Sequence, residues 1–156
     1  MMDRQLFLRG GIASLALAAA SAATPAASRS QRYFDDFCDL FYRQKRVRAA
    51  FEAHVVPDYI QHSAGMAQGR EAAIATLEPM FSRPAFQITP LRTLWDRNLS
   101  TVILDVQVGD AVRAIVVDIY RHAGDRIVEH WDVKAELAAE QRDGYFAGFG
   151  IQTQGE

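Results

Sequence analysis

Two short blocks near the C-terminus hold the side chains best suited to acid/base chemistry. Val116-Val117-Asp118-Ile119-Tyr120-Arg121 sets a carboxylate and a phenol two residues apart, and Ile127-Val128-Glu129-His130-Trp131-Asp132 does the same for an imidazole and a second carboxylate. Residues two apart in an extended chain share a face. The turn between the blocks decides whether the two pairs meet. If Ala123-Gly124-Asp125 is a three-residue loop with a bulge, His122 lies opposite Arg126. Asp118 then faces His130, Val116 faces Asp132, and Tyr120 faces Val128. Asp118, Tyr120, His130 and Asp132 gather on one surface, with Ile115, Val117, Ile119, Ile127 and Trp131 on the other. A two-residue loop would put His130 and Asp132 on the face opposite Asp118.

A carboxylate held between a sheet and apolar helices is desolvated, which favours its neutral form and makes it a better base near neutral pH. Asp118 is therefore the candidate base. His130 could tune it, share its proton or orient a substrate carbonyl. A satisfied buried pair that only fixes the register would look the same, and spacing does not separate the two. Upstream, Asp58-Tyr59-Ile60-Gln61-His62 stands where a chain could cross the open end of a sheet, so Tyr59 and His62 are candidates for a pocket mouth. A histidine on a turn with no role fits the same spacing. His62, His130, Asp118 and Asp132 lack the close pair spacing of a metal motif, so no metal is expected. Phosphate-cradling glycine motifs are absent, and Ser63 beside His62 has no nucleophile elbow around it.

The elements that must position these residues follow from hydrophobic period. Tyr33, Phe37, Leu40 and Phe41 recur at helical spacing from Gln31 onward, and Val47, Phe51 and Val55 repeat it after a break at Gln44 to Arg46. Pro57 closes that second helix. Ile74, Leu77, Met80 and Phe81 mark a third helix between Gly69 and Arg83, ending before Pro84. The pattern then changes. Phe86 to Trp95, Leu99 to Val108, Ala111 to His122 and Arg126 to Ala135 are rich in Val, Ile, Leu and Thr and are separated by short polar turns. Helices first and a strand meander afterward predict an α+β fold, with helices on one face of an antiparallel sheet. Ala111 to His122 is partly apolar on both faces, so the second face needs cover as well. A second copy of the chain would supply it, and so would a C-terminal segment folding back.

Composition narrows the classes of function. The 156 residues suit one domain with a real core. Seventeen Lys and Arg against nineteen Asp and Glu leave a net charge of −2, without the basic footprint of a nucleic-acid binder. Residues 1–22 have the layout of a secretory signal: Arg4 and Arg9, an Ala-rich apolar run, and Ala20-Ser21-Ala22 as the cleavage site. Asp3-Arg4-Gln5-Leu6-Phe7-Leu8-Arg9 is also similar to a twin-arginine signal with Gln5 in place of the second arginine. The expectation is an exported, periplasmic protein with no membrane contact after cleavage, a tether over residues 23–30 and a domain over 31–156. Lone Cys38, on an apolar helical stretch, is expected to be a packed thiol.

Four blocks together carry a family resemblance: Tyr59-Ile60-Gln61-His62, Gly69-Arg70-Glu71, and the two blocks around Asp118 and His130. They resemble the SnoaL-like polyketide cyclase group of the nuclear transport factor 2-like superfamily, over roughly Phe34 to Ala135. The resemblance implies a cone-shaped α+β fold, with N-terminal helices on a curved sheet enclosing an apolar pocket, and a homodimer. It also implies aldol-type or related acid/base chemistry on a small apolar carbonyl compound, without metal or organic cofactor. Asp118 is the implied base and His130 its catalytic partner. Tyr59, His62, Tyr120 and Asp132 are the implied substrate contacts. The family's Gln-His pair often continues with Asn-Pro, whereas Ser63-Ala64 follows here. The same scaffold hosts non-catalytic small-molecule binding modules, which is the alternative function.

Overall fold

The structure, a computed structural model, describes residues 27–141 and residue 145. The expected signal segment, residues 1–22, lies outside these, as do positions 23–26 of the tether. Helix α1 (Arg29–Cys38) opens with a reciprocal cap: the Ser28 side chain accepts from the Gln31 amide, and the Gln31 side chain accepts from that of Ser28. The helix thus begins two residues ahead of the expected Gln31. Ser30 Oγ lies 3.1 Å from both the Gly124 carbonyl and the Asp125 carboxylate, tying the helix start to a distant turn. The chain continues as a π-helical turn, Asp39–Arg43, whose wide register buries the consecutive residues Phe41 and Tyr42. Cys38 is buried, and burial pushes its thiol pKa up, as a packed thiol requires.

Helix α2 (Val47–His54) is one residue shorter than the hydrophobic repeat predicts, because Val55 starts a strand. That strand, β1 (Val55–Gln61), replaces the crossing loop expected around Tyr59. Pro57 sits in it because β1 is an edge strand with an irregularity between Val55 and Ile60, where a missing N–H costs no ladder bond. Helix α3 (Arg70–Phe81) follows, and then strands β2 (Phe86–Asp96), β3 (Leu99–Val108), β4 (Val112–Ala123) and β5 (Arg126–Glu136). Their order in the sheet is β1-β5-β4-β3-β2. The fold is α+β, with three helices against one open sheet. The sheet is mixed rather than antiparallel, since β1 pairs parallel with β5.

The β4–β5 register corrects the sequence expectation twice, and the corrections cancel. The turn is two residues long, with Ala123 opposite Arg126 and His122 opposite Ile127. Continued unbroken, that register would send His130 and Asp132 to the outer face. An extra residue, Val128, stands between the Ile127 and Glu129 pairings and restores the phase. Tyr120 therefore faces His130, Asp118 faces Asp132, and Val116 faces Lys134. Ile127, expected outside, turns into the core and is buried in the main cluster, paired with Val55 of β1.

The core lies between the helices and the inner sheet face. Phe34, Phe37, Phe41, Phe51 and Phe81 interlock there with Leu104 and Val102 of β3. Such burial contributes about 1.5–3 kcal/mol per large side chain. The outer face is apolar too. Ile115 and Leu137 bury against Leu91 and Ile103, and the Leu137 amide bonds the Arg113 carbonyl at 2.8 Å. The chain after β5 thus covers one end of that face, while Ile60, Leu94 and Val133 stay exposed. Among the described residues no helix is long and apolar enough to cross a membrane.

Candidate active site

The inner face of β4 and β5 meets the π-helical turn at Asp118. Tyr42 reaches down from that turn and donates to Asp118 Oδ2 at 2.6 Å. Its oxygen lies 2.5 Å from the Tyr120 hydroxyl, which stands 3.4 Å from the same Oδ2. Tyr42 has one proton and gives it to the carboxylate, so Tyr120 is the donor to Tyr42. Burial, and then the Asp118 charge, hold both phenols well above their ordinary pKa. Both remain protonated donors.

His130 stands beside this cluster, its ring 4.7 Å from that of Tyr120. Nε2 lies 3.3 Å from Asp118 Oδ1, within ion-pair range but off a good hydrogen-bond direction, and it has no other partner among the described residues. Nδ1 is 2.9 Å from Gln61 Oε1. Gln61 Nε2 in turn donates to the Tyr59 hydroxyl at 3.4 Å. Burial, with the Asp118 and Asp132 charges, raises the Tyr59 phenol as well.

Asp132 completes the inner face, 3.2 Å from Lys134 Nζ. Burial works to raise its carboxyl. The Ser63 and Lys134 hydrogen bonds, with the charges of Lys134 and His130, outweigh that and hold it below the ordinary carboxylate range. These residues line one cavity of about 270 Å³, whose remaining wall is apolar: Phe41, Phe51, Leu77, Met80, Leu104 and Val116 among others. The arrangement can exclude water from an apolar guest while offering a carboxylate, an imidazole and phenolic donors at one end.

Five of the six residues singled out from the sequence line this cavity: Asp118, His130, Tyr59, Tyr120 and Asp132. His62 does not. Gln61 pairs with His130 and points inward, so strand alternation turns His62 to the outer face. There its ring stacks on Trp131 at 4.9 Å and 2°, and Nε2 lies 2.6 Å from Glu129 Oε1. That bond is the main reason the Glu129 carboxyl sits below its usual range, aided by Arg121. Gln61 and Tyr42 were missed. Reading β1 as a strand would have found Gln61, two residues from Tyr59. Nothing in the local spacing marks the wide helical turn that delivers Tyr42. Among the described residues no group of three or more His, Cys, Asp or Glu side chains is placed to hold a metal ion.

A family model for the SnoaL-like domain matches residues 31–130. No curated protein sequence matches the chain. Solved structures share its fold. A proposed ketosteroid isomerase from Kribbella flavida aligns with a TM-score of 0.58 and 18% identity, over 70% of this chain and 79% of that one. An NTF2-like protein of unknown function from Mesorhizobium loti has a TM-score of 0.58 and 18% identity, over 68% and 90% of the two chains. IdmH, a proposed polyketide cyclase from Streptomyces antibioticus, gives 0.55 and 15%, over 80% and 100%. At these identities the likeness is one of NTF2-like fold.

Proposed function

The chain belongs to the SnoaL-like domain family, and on that premise we propose that it is an enzyme whose own side chains perform acid/base chemistry on a small, largely apolar carbonyl compound. One observation carries the proposal. A carboxylate, an imidazole and three phenols converge at one end of a mostly apolar cavity. Asp118 takes a proton from the carbon next to the carbonyl. The C–H electron pair becomes the enolate double bond, and the carbonyl electrons move onto oxygen. A hydrogen bond from Tyr59 or from His130 stabilises that oxygen, an effect worth about 3 kcal/mol in such sites. Aldol cyclisation, isomerisation and related steps all proceed through this enolate.

Proton exchange tests the proposal without knowledge of the natural substrate. Cyclohexanone and 2-tetralone are incubated with the protein in D2O, and loss of their α-proton signals is followed by NMR. Asp118→Asn is expected to slow protein-dependent exchange about 10²–10⁴-fold with the fold retained. Equal rates in the variant would remove Asp118 from the chemistry.

A second reading has an observation of its own. Both oxygens of Asp118 already have neighbours, Tyr42 on Oδ2 and His130 at Oδ1. A carboxylate already flanked in this way suits a non-catalytic binding module. That reading predicts ligand affinity indifferent to Asp118→Asn and lost on filling the cavity with Leu77→Trp.

We further propose export, with cleavage after Ala22, and a homodimer through the exposed outer sheet face. The three-part layout of residues 1–22 supports the first, and uncovered Ile60, Leu94 and Val133 support the second. Mass spectrometry of the secreted product and analytical ultracentrifugation test them.

A further inference from the structure

We infer that Gln61 is a positioning residue that fixes the proton on His130 Nδ1 and leaves the Tyr59 hydroxyl proton free for a ligand oxygen. The Gln61 side chain is buried and its orientation is determined by the backbone. The Ser63 amide, which can only donate, lies 2.9 Å from one terminal atom of Gln61, so that atom is the carbonyl oxygen. The same oxygen is 2.9 Å from His130 Nδ1. An acceptor there requires Nδ1 to carry hydrogen. Nε2 is then the ring nitrogen that faces Asp118 Oδ1, at 3.3 Å and off a good hydrogen-bond direction.

The other end of Gln61 fixes Tyr59. Gln61 Nε2 has only hydrogens to offer, so the Tyr59 oxygen accepts, and its own hydrogen is not used in that bond. Tyr59 lines the cavity. The polar end of the cavity thus presents hydrogen from Tyr59, which suits a ligand with an acceptor oxygen, such as a ketone. One amide sets the direction of both contacts.

The consequence for catalysis rests on Asp118 being the base; the histidine tautomer does not. When Asp118, as the carboxylate, takes a carbon-bound proton from a neutral ketone, the products are a carboxylic acid and an enolate, so charge is conserved. With hydrogen fixed on Nδ1, Nε2 offers a lone pair beside the newly formed carboxylic acid. A ring with its hydrogen on Nε2 instead could not accept from that acid and would stabilise the product less.

The test reads the imidazole nitrogens directly, using ¹⁵N-histidine-labelled full-length protein at neutral pH without ligand. His130 is assigned by the signal lost in His130→Asn. The wild type is expected to carry hydrogen on Nδ1. Gln61→Leu is expected to lose it, and Gln61→Glu, which keeps an acceptor, to retain it. An unprotonated Nδ1 in the wild type overturns the inference without any variant, and so does an unchanged Nδ1 in folded Gln61→Leu. In ketone exchange, Gln61→Leu should lower kcat about 10–100-fold with KM little changed, and Gln61→Glu should recover part of it. If the tautomer behaves as expected while Asp118→Asn exchanges normally, the base assignment falls and the positioning role stands.

Discussion

Asp118 and Asp132 stand directly opposite one another across the β4–β5 ladder, both on the inner face of the sheet. Like charges in that arrangement repel. Here His130 lies beside both carboxylates, and each has further partners of its own. Tyr42 attends Asp118, and Ser63 and Lys134 attend Asp132. For Asp132 the favourable contacts prevail, since its carboxyl sits below the ordinary value despite burial and despite its neighbour.

That balance sets the sign of a pH effect. A carboxyl with a depressed folded pKa stabilises the protein above its unfolded value, and the contribution is lost as pH falls through the folded value. Asp132→Asn is therefore expected to be less stable than the wild type at pH 7, with the gap closing below the ordinary carboxylate value of 3.8. Urea midpoints across that range check it. A more stable variant at pH 7 would mean that repulsion from Asp118 dominates.

His122 gives the complementary acid effect. Burial lowers its pKa from 6.5 to about 4, with Nε2 2.7 Å from Ser100 Oγ. The unfolded chain binds this proton first on acidification, so stability is full above pH 6.5 and falls as the pH drops toward 4. The loss is about 3 kcal/mol for this one group. His122→Gln should flatten the stability profile across that window. An unchanged slope would place the titration elsewhere.

Removing the Tyr42 hydroxyl leaves a buried carboxylate oxygen without its short donor. Tyr42→Phe is expected to cost about 1–3 kcal/mol in chemical denaturation. Tyr120→Phe should cost less, since the bond from Tyr42 to Asp118 survives it. Reversed sizes would show that Tyr120 is the main donor to the carboxylate.

The Val128 bulge is testable by deletion. Without Val128, Ile127 and Glu129 become neighbours, so the ladder runs unbroken with its pairs unchanged: Arg121 with Glu129, Tyr120 with His130 and Asp118 with Asp132. Deletion is therefore expected to keep His130 and Asp132 inward and to cost only about 1–3 kcal/mol, through the lost local bend of β5. Unfolding of the deletion variant at neutral pH would show that the bend itself, and not only the phase, holds the sheet together.

Gly69 precedes α3 with φ of +91° and ψ of 157°, a conformation nearly restricted to glycine. A Cβ there would meet only the Pro57 carbonyl, at an ordinary 3.6 Å. Gly69→Ala should thus cost about 1–3 kcal/mol through backbone strain rather than a clash. A thermal melt matching the wild type would show that the helix start relaxes freely.

The chain's own pattern determined the helices, the four antiparallel strands and most of the site. Period-3.6 and period-2 repeats report burial one segment at a time, which is why α3 and β2 to β5 were legible. Asp118, Tyr120, His130 and Asp132 were placed together correctly, although the pairing expected from a three-residue loop was two positions out. Only tertiary structure decided the rest. Pro57 conceals β1, because an edge strand tolerates a residue that no central strand would, and edge position is a property of the assembled sheet. With β1 hidden, its alternation was hidden too, so His62 rather than Gln61 was placed in the cavity. The Val128 bulge and the wide turn bearing Tyr42 were likewise invisible, since each adds a residue to a repeat and is favoured only by what it packs against. Local periodicity sets which face a segment buries; contacts between distant segments set the phase at which those faces meet.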